Sequence, residues 1–154
     1  MRADFYHLTR LPLERVLPAI CERVAGQGQK LLVMAQDEAL LARLDQLLWT
    51  WKAESFLPHA RAGAGDADRA QSVLLATPDE VVSATGDAAG EARHIALVDG
   101  EWRDLALAYD RAFYLFDEST IAGARQAWRA LAAQDGVERH YWKQDDEGRW
   151  REGP

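Results

Sequence analysis

Residues 30–35 (KLLVMA) constrain the fold of this chain more than any other segment. After its lysine the run is uninterrupted and apolar, which is typical of a central strand buried on both faces of a sheet. Apolar residues at helical spacing occur before it, within residues 13–26, and after it, within residues 40–48. Because a strand buried on both faces needs a cover on each side, this pattern predicts an α/β domain.

Strands and helices alternate along the rest of the chain. The strands are predicted at residues 5–8, 30–35, 72–76, 95–98, 112–115 and 140–143. The helices are predicted at residues 13–26, 37–49, 102–109 and 119–133, with Pro18 interrupting the first and with Asp37 and Ser119 as N-caps. The prediction is a single Rossmann-like α/β domain over residues 1–143, with a mixed or mostly parallel sheet and helices on both faces. Residues 140–143 are its predicted edge strand, and residues 144–154 a charged C-terminal tail.

Length and charge exclude several classes of protein. The chain has 154 residues, which is typical of one domain, and a net charge of −7. Binding to a duplex requires several cationic contacts with phosphates, so direct binding to nucleic acid is not expected.

The one cysteine, Cys21, excludes an internal disulfide and a cysteine zinc cage. With no apolar run near the about 18 residues of a membrane span and no signal region, the protein is expected in the cytoplasm, without membrane contact.

The sequence offers no convincing catalytic, cofactor or metal site. Gly26 and Gly28 follow a predicted helix and precede a strand, which is the reverse of the order in a phosphate-binding loop. No two of the four histidines have the i, i+4 spacing of helical metal ligands. The acidic pairs at residues 37–38 and 117–118 precede predicted helices, where carboxylates interact favourably with the helix dipole. The sequence therefore predicts no enzymatic activity of the chain itself, no cofactor and no metal.

Two segments carry side chains that suit recognition of a partner. Trp49 and Phe56 flank the end of the second helix. Trp51 adds a third aromatic ring, and the polar neighbours of Trp49 and Trp51 argue against burial of both tryptophans. In the last helix, Arg125, Trp128 and Arg129 share one face because they are spaced i, i+3 and i+4. Two guanidinium groups beside an indole can bind a carboxylate together with an apolar side chain. These residues alone favour the simpler interpretation, a solvated arginine face with the indole packed on the sheet.

In their order along the chain, these segments resemble the chi subunit family of bacterial DNA polymerase III holoenzyme. The resemblance covers roughly residues 1–143 and is most specific in the block that contains the leucine-aspartate helix end and the proline-histidine segment. It rests on residues 5–6 (FY), residues 44–49 (LDQLLW), residues 55–59 (SFLPH), and Arg125, Trp128 and Arg129.

The resemblance implies a non-catalytic adaptor of the clamp-loader assembly. Such a protein binds the psi subunit of the clamp loader and the acidic C-terminal tail of the single-stranded-DNA-binding protein, which ends in Pro-Phe. Aromatic side chains would hold the terminal phenylalanine, and arginines would pair with its carboxylate and with the acids before it. By position, the resemblance assigns the tail site to Trp49, Phe56, Tyr114, Arg125, Trp128 and Arg129.

The sequence departs from the family pattern at two places and leaves two other functions open. Ile121 stands where a basic residue is expected one turn before Arg125, and the connection over residues 77–93 is longer than usual. One alternative is an adaptor of the same family that serves a DNA-repair helicase. The other is a nucleotide-binding α/β enzyme, against which the missing glycine fingerprint argues.

Overall fold

Strands in the described part of the chain form one mixed, mostly parallel sheet. The computed structural model describes residues 1–51, 59–61, 71–83 and 92–153. Its strands are β1 Arg2–His7, β2 Leu31–Met34, β3 His59–Arg61, β4 Val73–Ala76, β5 His94–Leu97, β6 Arg111–Phe116, β7 Glu138–Gln144 and β8 Trp150–Glu152. Their order across the sheet is β3-β4-β2-β5-β6-β1-β7-β8. Only β7 and β8 pair in antiparallel fashion, which confirms the predicted α/β class.

Helices cover both faces of this sheet, as predicted. They are α1 Leu13–Gly26, α2 Glu38–Thr50, α3 Pro78–Ser83, a 3-10 helix at Asp104–Ala108, and α4 Ile121–Ala132. Successive strand residues point to opposite faces, so Leu31 and Val33 pack with α1 and α2. Leu32 and Met34 pack in the other layer, with α4 and the 3-10 helix. Of the helices in the described ranges, none is long and apolar enough to cross a membrane.

Helix boundaries differ from the predictions at two positions. Pro18 does not interrupt α1: the helix runs from Leu13 to Gly26 with Pro18 inside it, buried on the face that packs on the sheet. Ser119 does not cap α4: its amide donates to Asp117 at 2.9 Å, and the helix begins at Ile121. The cap at Asp37 is confirmed, since its carboxylate accepts a hydrogen bond of 2.9 Å from the amide of Ala39.

The C-terminal part of the chain belongs to the sheet more fully than predicted. β7 is not an edge strand, because it lies between β1 and β8. Residues assigned to a charged tail instead complete β7 at Gln144 and form β8. Trp150 of β8 packs edge-on against the ring of Tyr6, with ring centroids 5.0 Å apart. This aromatic contact explains why a polar segment folds back onto the sheet.

A buried carboxylate joins β1 to its neighbouring strands. The side chain of Asp4 is fully buried and accepts hydrogen bonds from Arg111 at 2.7 Å, Trp142 at 2.8 Å and Arg2 at 3.0 Å. Burial alone would raise the pKa of Asp4, but the three donors hold it below its usual value. Asp4 therefore crosslinks β1, β6 and β7 as an ion.

The turn after β5 requires a glycine. Gly100 has φ of +76°, in the left-handed region, and a Cβ atom there would lie 2.5 Å from the side chain of Thr120. Gly28 has nearly the same φ, +75°, but nothing lies within 4 Å of its virtual Cβ. The backbone conformation is therefore matched at the two glycines, and only Gly100 is also sterically enclosed.

Alanine substitutions at these two glycines distinguish the energetic cost of the left-handed backbone from the cost of a steric overlap. We expect Gly28→Ala to lower the free energy of unfolding by about 1–2 kcal/mol, the cost of a left-handed alanine. Gly100→Ala should cost a further ~1–3 kcal/mol, because its methyl group overlaps Thr120. Urea unfolding of the two variants and the wild type measures both values. Equal losses would mean that the contact between the turn and the start of α4 relaxes without cost.

Candidate peptide-binding site

A cavity of about 260 Å³ opens between α4 and the strands β1, β6 and β7. We call it the α4 pocket. Its volume lies below that of typical drug-sized ligand sites, about 300–1,000 Å³, and suits a single large side chain. The residues that line it are Phe5, Phe116, Ile121, Ala124, Arg125, Trp128, Arg129 and Tyr141.

Aromatic rings from three strands form the base of the α4 pocket. In the parallel register, Phe5 of β1 stands beside Tyr141 of β7, and both side chains point toward α4. The ring of Phe5 meets Trp128 edge-on at 5.1 Å between centroids, and Tyr141 lies 6.4 Å from both Trp128 and Phe116. Edge-to-face contacts of this kind leave an apolar cleft that a further ring can enter.

Two arginines lie at the open side of the pocket. Ala124 and Ala127 bury one face of α4 against the sheet, which leaves Arg125 and Arg129 exposed on the adjoining face. Within the described ranges, neither arginine forms an ion pair with a carboxylate, whereas Arg103 pairs with Asp99 at 2.7 Å. The positive charge of Arg125 and Arg129 is therefore available to an anionic ligand.

Trp128 is held from one side by a third arginine. The guanidinium of Arg139, on β7, lies 4.2 Å from the centroid of the indole. It also donates a hydrogen bond of 2.7 Å to the backbone carbonyl of Trp128. Stacking and hydrogen bonding together fix the orientation of the indole that forms one wall of the α4 pocket.

The hydroxyl group of Tyr141 is positioned by a histidine of β1, His7. The hydroxyl of Tyr141 lies 2.8 Å from Nδ1 of His7, and Nε2 of His7 lies 3.0 Å from the carboxylate of Glu118. The His7 ring also stacks on Phe116, with centroids 4.9 Å apart. Burial and the nearby charge of Glu118 raise the pKa of Tyr141. The tyrosine therefore stays neutral and presents its ring to the pocket.

The α4 pocket suits a ligand that is apolar at one end and anionic beside it. Its aromatic walls can bury a ring, and two guanidinium groups at the opening can form bidentate hydrogen bonds with carboxylates. The C-terminal residue of a peptide combines both features when its side chain is apolar. Among the residues described, no group of three or more His, Cys, Asp or Glu is arranged to hold a metal ion.

The structure brings together only part of the predicted site. Arg125, Trp128 and Arg129 line one pocket, but Trp49 is not among its residues. Trp49 lies in the last turn of α2, which packs on the opposite face of the sheet, and the residue is 56% exposed beside His59. Its exposure agrees with the prediction, whereas its grouping with the α4 residues requires correction.

Two further predicted residues also fall outside this pocket. Tyr114 is fully buried, and its hydroxyl donates a hydrogen bond of 2.6 Å to the carbonyl of Gly100. Burial raises the pKa of Tyr114 to about 12, so the hydroxyl remains protonated and serves the core rather than a ligand. Phe56 lies outside the described residues.

Sequence reasoning missed the strand residues that complete the pocket. Phe5 lies in a predicted strand and Phe116 directly follows another, but nothing in the local sequence showed that these strands become neighbours. Tyr141 alternates with the residues of β7 so that it shares a face with Arg139. This alternation was the one signal in the sequence that side chains of β7 line the pocket. It shows which residues share a face, but not that this face lies under α4.

Comparison with known proteins gives a consistent assignment. The family model described as "DNA polymerase III chi subunit, HolC" matches residues 1–138, which include every pocket residue except Tyr141. The DNA polymerase III subunit chi of Escherichia coli (strain K12) is 31% identical over 123 residues, covering 77% of this chain and 79% of that protein. The chain therefore belongs to the DNA polymerase III chi subunit family and is an accessory, non-catalytic subunit of that polymerase.

Proposed function

We propose that this protein is a cytoplasmic replisome adaptor that binds the acidic C-terminal tail of the single-stranded-DNA-binding protein in the α4 pocket. The observation that carries the proposal is the combination of an aromatic cavity with two arginines that have no acidic partner in the described structure. The terminal phenylalanine of the tail would enter between Phe5, Trp128 and Tyr141. Its carboxylate would pair with Arg125 and Arg129.

The distribution of charge supports a contact through a protein tail rather than through DNA. The net charge of −7 repels a phosphate backbone, and only three of the 18 cationic residues are lysines. The α4 pocket is instead a local basic site on an acidic protein. Such a site can bind an acidic peptide, with an affinity that falls as salt screens the exposed charges.

An adaptor needs a second surface, and Trp49 is the best candidate for its centre. Trp49 is 56% exposed and belongs to α2, which packs on the face of the sheet opposite the α4 pocket. Exposed tryptophans are enriched among the residues that dominate protein interfaces. We call the exposed end of α2 around Trp49 the α2 surface. We place the psi subunit of the clamp loader there, where it can bind while the tail occupies the α4 pocket. A DNA-repair helicase docked there instead would make the protein an adaptor for repair.

Substitution of Arg125 tests the tail site. We expect Arg125→Ala to weaken binding of a synthetic peptide of the acidic tail roughly tenfold or more, because a charge-assisted hydrogen bond contributes about 1.5–3 kcal/mol. Arg15→Ala is the matched control, since Arg15 is an exposed arginine on α1, which packs on the other face of the sheet. A peptide without its terminal phenylalanine should lose at least as much affinity with the wild-type protein.

Isothermal titration calorimetry at two salt concentrations gives the required affinities. Wild-type binding should weaken as salt rises, and the Arg15→Ala variant should behave like the wild type. Equal affinity of Arg125→Ala and Arg15→Ala, with no dependence on salt, would place tail binding elsewhere on the protein. A wild-type protein that does not bind the peptide would refute the proposed function itself.

A further inference from the structure

We propose that Arg139 is a further specificity residue of the α4 pocket, which pairs with an acidic side chain of the bound peptide upstream of its terminal carboxylate. The inference rests on the proposed function and names the feature of the tail that Arg139 recognises. It concerns a residue on β7, beyond residues 1–138 that match the family model.

The position of Arg139 is fixed by Trp128. Its guanidinium lies 4.2 Å from the indole centroid, and one of its amino groups, Nη1, donates to the Trp128 carbonyl at 2.7 Å. An arginine held in this way loses little conformational freedom when it binds a ligand. The stacked face and one donor are occupied, but a guanidinium has five N–H donors in total.

The remaining donors of Arg139 have no acidic partner in the part of the chain that the structure describes. Its neighbour on β7, Glu138, lies 3.2 Å from His140 instead, on the alternate side of the strand. The other half-buried arginines among the described residues are paired; for example, Arg111 lies 2.7 Å from Asp4, and Arg61 lies 2.7 Å from Glu38. A positioned and partly buried cation without a carboxylate is therefore the exception here.

Arg139 also lies on the correct face to extend the basic site. Arg139 and Tyr141 are two residues apart on β7, so both point toward α4, and Trp128 contacts both. Arg125 and Arg129 flank the same indole on the helix. A peptide whose terminal ring enters the pocket would continue past Trp128, where an upstream carboxylate meets Arg139.

Two peptides separate recognition of the upstream acid from a purely structural role. One carries the acidic tail ending in Pro-Phe, and the other replaces its acidic side chains by amides but keeps the terminal carboxylate. We expect Arg139→Gln to weaken binding of the acidic peptide about tenfold and to affect the amide peptide much less. Arg15→Gln removes the same charge from α1 and should leave both affinities unchanged.

The Arg139→Lys variant tests whether Arg139 affects peptide binding only by positioning Trp128. Lysine keeps the charge but loses the planar stacking, so it should retain most of the preference for the acidic peptide. Equal losses on the two peptides in Arg139→Gln, or no loss, would overturn the inference while tail binding by the wild type stands. Failure of the wild type to bind either peptide would refute the proposed function together with the inference.

Discussion

Replacing Asp4 by asparagine should destabilise the protein by about 3–5 kcal/mol. Its carboxylate is fully buried and accepts hydrogen bonds from Arg2, Arg111 and Trp142, so removal of the charge leaves cations beside an amide that cannot balance them. The lower end of the range is expected, because the side chains of Arg2 and Arg111 are 39% and 23% exposed and can reach solvent.

A second aspartate provides a matched control for this loss. Asp110 lies 3.7 Å from Arg93, and both side chains are more than half exposed. Asp110→Asn should therefore cost less than about 1 kcal/mol, as surface ion pairs do. Urea unfolding of the wild type and both variants at neutral pH measures the difference. Similar, small losses in the two variants would show that the buried network contributes no more than a surface pair.

The destabilisation caused by Asp4→Asn should become smaller as the pH falls. Because the pKa of Asp4 is lowered in the folded protein, its contribution to stability is fully present above the unfolded pKa of about 4. That contribution is lost as the pH falls toward the folded pKa. The gap between the unfolding free energies of wild type and Asp4→Asn should therefore be constant near neutrality and narrow below about pH 4. A gap that stays constant in acid would mean that the carboxylate is not the source of the effect.

Asp4 also shows that local sequence patterns do not reveal contacts between residues far apart in the chain. The first strand was predicted at residues 5–8 from their aromatic and apolar side chains, whereas the observed strand begins at Arg2 and includes Asp4. Its partners Arg111 and Trp142 are 107 and 138 residues away, and local patterning carries no information about them. The pattern succeeded for β2, where a continuous apolar run corresponds to a strand that is buried at every residue.

The candidate site shows the same division between local and distant information. Helical spacing correctly grouped Arg125, Trp128 and Arg129, because i, i+3 and i+4 positions must share a face. The same reasoning could not place Trp49, since an amphipathic helix can pack on either face of a sheet. Only the packing of the two core layers shows that α2 and α4 lie on opposite faces. The two conspicuous tryptophans of the sequence therefore belong to different surfaces.

Trp128 and Trp49 should differ sharply in their effect on tail binding. Trp128 forms a wall of the α4 pocket, so Trp128→Ala should remove at least ~2 kcal/mol of binding energy, a loss of roughly thirtyfold or more in affinity. Trp49 lies on the opposite face, so Trp49→Ala should leave tail affinity unchanged and weaken capture of the psi subunit. Thermal unfolding of both variants supplies the fraction of folded molecules for each titration.

Calorimetric titration of the acidic tail peptide into Trp128→Ala and Trp49→Ala tests the central claim most directly. If the α4 pocket holds the tail, the first variant loses most of its affinity per folded molecule and the second binds like the wild type. The opposite pattern, with normal binding by Trp128→Ala and loss in Trp49→Ala, would contradict the account and move the tail site to the α2 surface.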